Sequence, residues 1–200
     1  DGPMLTMGAN YGDINNDGYL DFYVGTGQPD ISILVPNMLF VNQHGKRFHD
    51  ITMASGLGHL QKGHAIAFAD LDQDGDQDVF EQMGGARRVD SFRDALYANR
   101  GGTPNRSITV RLVGVTSNRS AIGARIKVTI TEKEEQRAIY RWVNTGASFG
   151  ANPLRQHIGI GTASVVDSLE VYWPTSDTTQ EFKNLPVGEM IEITEDSAEV

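Results

Sequence analysis

The nine residues Asp70-Leu71-Asp72-Gln73-Asp74-Gly75-Asp76-Gln77-Asp78 carry five carboxylates, with a glycine at the sixth place. Left alone, such a cluster repels itself. Carboxylates at the first, third and fifth places can instead converge on one hard cation, the glycine supplying the sharp turn that wraps the chain around it. Calcium takes about six to eight oxygens at loose geometry. The loop offers them from Asp70, Asp72 and Asp74, the carbonyl of Asp76, a bidentate Asp78, and water. The bland alternative is a solvated acidic turn, and repetition speaks against it.

The second copy is Asp13-Ile14-Asn15-Asn16-Asp17-Gly18-Tyr19-Leu20-Asp21. Its ligand set is Asp13, Asn15, Asp17, Tyr19 and Asp21, so two calcium ions are expected. The offset that carries Asp13 to Asp70 also carries Gly27 to Gly84, Leu39 to Leu96, Phe40 to Tyr97, Asn42 to Asn99 and Gly45 to Gly102, without a gap. A fixed period with matching turn glycines and apolar positions marks two copies of one supersecondary unit.

These loops must be held by short strands. Leu20-Asp21-Phe22-Tyr23-Val24-Gly25 leaves the first loop with strand-forming residues, Gly27-Gln28-Pro29-Asp30 is turn chemistry, and 37–42 and 47–52 are further strand candidates. Four short antiparallel strands in about fifty residues is the make-up of a propeller blade. The second unit repeats this from Ala65, with no counterpart of the fourth strand after Gly102. The character changes at Gly101-Gly102-Thr103-Pro104-Asn105, giving an expected division into 1–102 and 103–200. Beyond it, Ile108, Val110 and Leu112, then Ile126, Val128 and Ile130, then Leu169, Val171 and Trp173 recur every second residue, with Ile191 and Ile193 in a last short strand. The expectation is an all-β chain: two propeller blades plus an antiparallel β-sandwich-like domain.

Composition agrees. Twenty-two glycines and 39% hydrophobic residues suit a folded, turn-rich chain of 200 residues. The charge of −9 includes eight carboxylates of the two loops, so the acidity is largely local and argues against a nucleic-acid partner. The absence of cysteine excludes a disulfide scaffold and a thiolate metal site. No run is long enough for a membrane span.

The loops, each between a small-residue strand and an apolar one, resemble the FG-GAP/VCBS repeats of calcium-binding β-propellers, a group that includes the integrin α-subunit head. Three later stretches, Ser117 to Arg125, His157 to Gly161 and Val166 to Pro174, resemble an ASPIC/UnbV domain. The pairing is similar to the C-terminal part of the cartilage acidic protein family and its bacterial relatives. The resemblance implies a secreted, periplasmic or cell-surface calcium-binding module for adhesion or protein interaction, with an unknown protein or glycan partner and no established chemistry. Propellers close with four or more blades, so further blades of a parent chain are expected before Asp1.

Other readings are weaker. Asp70 to Glu81 also satisfies the EF-hand spacing, but the sister loop has Val24 at the twelfth place and the flanks are strand-like. Ser148 in Gly146-Ala147-Ser148-Phe149-Gly150 mimics a nucleophile elbow, which needs a strand-to-helix turn; a Gly-rich loop between strands is expected instead. His157 is expected to help a turn or pack against the core, and Tyr172 and Trp173 to be core and edge residues. Arg87, Arg88 and Arg93 make a basic patch, read as charge compensation beside Asp74 to Asp78 and Asp90, with a ligand site for a carboxylate or acidic sugar as the alternative. No catalytic residues are expected. A second functional reading is the non-catalytic or substrate-binding end of a secreted polysaccharide-degrading enzyme.

Overall fold

The computed structural model describes residues 4–27, 30, 33–85, 88–89, 92–144 and 146–200, and in it the sequence repeat is visible strand by strand. β1 (Thr6–Gly12) and β2 (Asp21–Thr26) form an antiparallel hairpin around the first acidic loop. β3 (Met38–Asn42) and β4 (Phe48–Asp50) extend it to a sheet ordered β1-β2-β3-β4. After a short helix, α1 (Thr52–Ser55), β5 (Gly63–Ala69) and β6 (Asp78–Met83) repeat the hairpin, and β7 (Ala95–Tyr97) completes the sheet β5-β6-β7. The offset from Asp13 to Asp70 lands both ends of β1 and β2 on the ends of β5 and β6. Even the register irregularity near the start of the hairpin recurs, at Thr6/Gly8 and at Gly63/Ala65.

The fourth strand is shorter than the alternation of 47–52 suggests. Thr52 instead opens α1: its N–H donates to Asp50 Oδ1 at 2.9 Å, and its hydroxyl accepts the N–H of Leu39 at 3.0 Å. Local side-chain bonds of this kind compete with a ladder. Within the turn expected at 27–30, Gln28 and Pro29 lie outside the described residues.

The blades face each other across a compact core. Tyr23 and Leu39 from the first pack on Ile66, Phe68 and Val79 from the second. Gly25 belongs at this close approach, because a Cβ there would lie 2.7 Å from the carbonyl oxygen of Gly63.

The set of sheets changes between Tyr97 and Arg106. β8 (Arg106–Val113), β9 (Arg125–Glu132), β10 (Glu135–Trp142), β11 (Gln156–Gly161), β12 (Val166–Trp173), β13 (Thr178–Leu185) and β14 (Met190–Thr194) form two sheets, β10-β9-β12-β13 and β11-β8-β14. The side chains expected to share inner faces do so: Ile108, Val110, Ile126, Val128, Ile130, Leu169, Val171 and Trp173 are all at most 1% exposed. Two sheets packing one apolar face each make a sandwich. Its ladders are antiparallel except that β14 pairs β8 in parallel. The intervening strands supply the long crossover that parallel pairing needs. No helix among the described residues is long and apolar enough to cross a membrane.

Candidate metal centre and domain interface

Each acidic loop closes a blade hairpin, and the two loops use their residues alike. The first aspartate accepts the glycine amide of the turn: Gly18 N–H to Asp13 Oδ2 at 2.9 Å, Gly75 N–H to Asp70 Oδ2 at 3.2 Å. The fifth-place aspartate accepts the amide two residues on, Tyr19 to Asp17 at 2.9 Å and Asp76 to Asp74 at 2.9 Å. Gly18 and Gly75 adopt φ of 90° and 93°, which favours a residue without Cβ. Asn16 and Gln73 take φ of 57° and 64° at the same place. The ninth-place aspartates divide their oxygens between two amides. Asp21 accepts from Ile14 at 2.9 Å and Asn42 at 2.7 Å; Asp78 accepts from Leu71 at 3.1 Å and Asn99 at 2.9 Å. Asp21 thereby ties its loop to the end of β3 and Asp78 ties its loop to the residues just beyond β7, and each oxygen keeps a second lone pair.

The second loop fits a hard cation. Oxygens of Asp70, Asp72 and Asp74 lie within 4.8 Å of one another, and Asp70 Oδ1 is buried without a hydrogen-bond partner. Burial raises the Asp70 carboxyl above its ordinary range, amides from Gly75 and Gln73 oppose this, and the Asp74 and Asp72 charges add to it. Asp76 turns its side chain away, its Oδ1 accepting from Asn16 Nδ2 at 2.6 Å. Its carbonyl and Oδ2 remain to be offered to an ion. A cleft of about 480 Å³ opens beside the loop, lined in part by Asp74, Asp76, Arg106 and Arg155.

The first loop is enclosed. Asp13 and Asp21 are 0% exposed and Asn16 is 1% exposed. Burial pushes Asp13 up to about 6, against the Arg141 charge, and Asp21 up to about 7, against its two amide donors. Asn15 Oδ1 accepts from Asp17 N–H at 3.2 Å, and its amide donates to Asp17 Oδ2 at 3.2 Å.

What encloses it is the sandwich. Arg141 on β10 donates to Asp13 Oδ2 at 3.2 Å and to the Gly18 carbonyl at 3.3 Å. Arg137 donates to the Asp17 carbonyl at 2.7 Å, the Gly161 amide to the Asn16 carbonyl at 2.8 Å, and Asn105 to the Asn15 carbonyl at 2.8 Å. His157 Nε2 meets Asn16 Oδ1 at 2.7 Å; burial lowers its pKa to about 4, the Arg141 and Arg155 charges adding to that, so the ring is neutral and donates. At the second loop Ser107 donates to the Gly75 carbonyl at 2.7 Å and Arg155 to the Asp70 carbonyl at 3.2 Å. None of these partners stands out from spacing alone. The one legible signal is Arg141 itself, which occupies an inward place between Ile139 and Val143 in a period-two strand.

The remaining candidates settle simply. Ser148 lies between β10 and β11, where its backbone bridges Ala9 through two hydrogen bonds of 3.1 Å. That is a loop between strands, with no helix following it among the described residues. Glu81 sits inside β6 and the loop is flanked by strands, so the EF-hand arrangement is absent among the described residues. Trp173 is core, while Tyr172 lies under the Arg125 guanidinium at 4.2 Å. Arg88 and Arg93 are exposed; Arg87 and Asp90 lie outside the described residues.

Comparison with known families agrees with this architecture. Residues 13–81 match the family described as FG-GAP-like repeat, and residues 114–200 match the family described as ASPIC and UnbV. No curated protein matches. The first matched segment runs from the first acidic loop through β2–β5 into β6, and the second covers all but the first strand of the sandwich, so the two stretches are similar, in that order, to an FG-GAP-like repeat and to an ASPIC/UnbV domain.

Proposed function

We propose that this chain is a calcium-stabilised, extracytoplasmic adhesion or protein-interaction module without catalysis of its own. Domains of these two kinds are those of extracellular-type interaction proteins. The observation that carries the calcium reading is the buried, unpartnered Oδ1 of Asp70 beside the oxygens of Asp72 and Asp74. A divalent ion there supplies the positive charge that five carboxylates in nine residues call for. The residues hold rather than react: Asp74 and Asp78 orient backbone amides, and Ser107 fixes the turn carbonyl of Gly75. Binding to the folded state alone adds about 3 kcal/mol at a hundredfold excess over Kd.

The test is thermal unfolding with calcium and with excess chelator. Chelation is expected to lower Tm by several degrees, and Asp74→Ala to lower it equally and abolish the calcium response. A melting curve indifferent to chelator would sink the reading.

One observation favours a second reading, the substrate-binding end of a secreted polysaccharide-degrading enzyme. On the outer face of β10-β9-β12-β13, Tyr140 and Trp142 (ring centroids 6.4 Å apart) join Arg125, Lys127 and Tyr172 around a cleft of about 460 Å³. Flat aromatic faces beside hydrogen-bonding groups suit a sugar ring. A glycan array on wild type and Trp142→Ala distinguishes the readings: saccharide binding lost in the variant supports this one.

A further inference from the structure

We infer that the guanidinium of Arg141 is the resident cation of the first loop, so that calcium binds at 70–78 and not at 13–21. The inference rests on the calcium reading of the second loop.

Charge is the first argument. The first loop carries three carboxylates, Asp13, Asp17 and Asp21, against five in the second. At its first place, Asp13 is 0% exposed and paired at 3.2 Å with Arg141, itself 7% exposed. The pair is complete without an added ion. The corresponding arginine at the second loop, Arg155, reaches only the Asp70 carbonyl, and Asp70 keeps an unpartnered oxygen. A dication brought to Asp13 would stand beside a buried guanidinium, where little solvent screens the repulsion.

The interior of the loop agrees. Asn15 turns an amide donor toward Asp17 Oδ2, while Asp72, its counterpart in the second copy, has only oxygens to present. A donor facing the ring occupies the direction from which an ion would be held.

Access points the same way. The β11 backbone lies directly on the first loop: a Cβ on Gly159 would clash with Asp13 Oδ2 and stand 2.5 Å from the backbone of Asn16. Asp72 and Asp74 are exposed, and the second loop opens on its cleft. An ion reaches the second loop directly, whereas at the first Asp13 and Asp21 are covered and, of the ligand set, only Asn15, Asp17 and Tyr19 remain partly exposed.

Calcium stoichiometry by isothermal titration calorimetry tests this on the wild-type chain, Asp17→Asn, Asp74→Ala and the pair Asp74→Ala with Arg141→Gln. The expected counts are one ion for wild type, one for Asp17→Asn, none for Asp74→Ala, and one regained when Arg141 is also neutralised. Two ions in the wild type, or no ion regained in a folded double variant, would overturn the inference and leave the second-loop reading standing, whereas loss of the single ion in Asp17→Asn would place it in the first loop and overturn both. No ion in the wild type would overturn both. Should the double variant fail to fold, the wild-type and Asp17→Asn counts decide alone.

Discussion

Glu81 shows how one residue can satisfy a spacing and serve another purpose. It stands at the twelfth place of an EF-hand pattern, yet it is 0% exposed on β6 and accepts the Tyr23 hydroxyl at 3.0 Å. Its other oxygen has no hydrogen-bond partner, and a Cβ on Gly63 would clash with it and lie 2.8 Å from Asn37 Oδ1. Burial pushes its pKa up to about 7, with the Tyr23 hydrogen bond opposing. A carboxyl whose folded pKa is raised binds more protons folded than unfolded. Its ionisation therefore costs stability as pH rises from about 4.5 to about 7, and the loss is complete above that. Glu81→Gln is expected to stabilise the chain by about 3–4 kcal/mol at pH 8, at about 1.4 kcal/mol per pKa unit. The gain should vanish at pH 4, and urea unfolding at the two pH values checks it.

At the scale of the element, the repeat makes equivalent residues unequal. Tyr23 and Leu39 are 0% and 1% exposed because the second blade covers them; their counterparts Phe80 and Leu96 are 39% and 58% exposed. Leu39→Ala should cost about 2–5 kcal/mol, as for other buried leucines, while Leu96→Ala should stay within about 0.5 kcal/mol. Chemical denaturation of the two variants makes the comparison, and equal losses would contradict the packing. Period and pattern fix the hairpins, because strand-forming residues flank a loop whose carboxylates repeat. They do not reveal which copy is covered, since burial depends on what lies beside the blade rather than within it. The contraction of β4 is similarly hidden: Thr52 looks like a strand residue until its N–H finds Asp50 Oδ1 and its hydroxyl accepts the Leu39 amide.

For the whole molecule, the joint between blades and sandwich is polar and specific. Asn152, from the loop between β10 and β11, donates to the Tyr11 carbonyl at 2.7 Å. Its Oδ1 accepts from Phe68 N–H and Asn10 Nδ2, both at 2.8 Å. It thus clasps the first strands of both blades. Asn152→Ala leaves those partners unsatisfied, at about 1–3 kcal/mol for each buried group lost. The expected outcome is a calorimetric profile split into two transitions, blades before sandwich, where the wild type shows one. A single unshifted transition would contradict the clasp.

The sequence by itself determined the strands, the two acidic loops and the sandwich core, because each is written in a regular period. The blades follow the spacing from Asp13 to Asp70, and the inner faces follow every second residue. It also marked Asp70, Asp72 and Asp74 as converging carboxylates, since their convergence follows from a short glycine-centred turn. Only the tertiary structure decided that the two loops differ. Asp13 meets Arg141 from far along the chain, and Asp70 does not meet an equivalent charge. The reason is physical: a turn's shape is set by neighbours in sequence, whereas its charge balance and solvent access are set by whatever the fold lays against it.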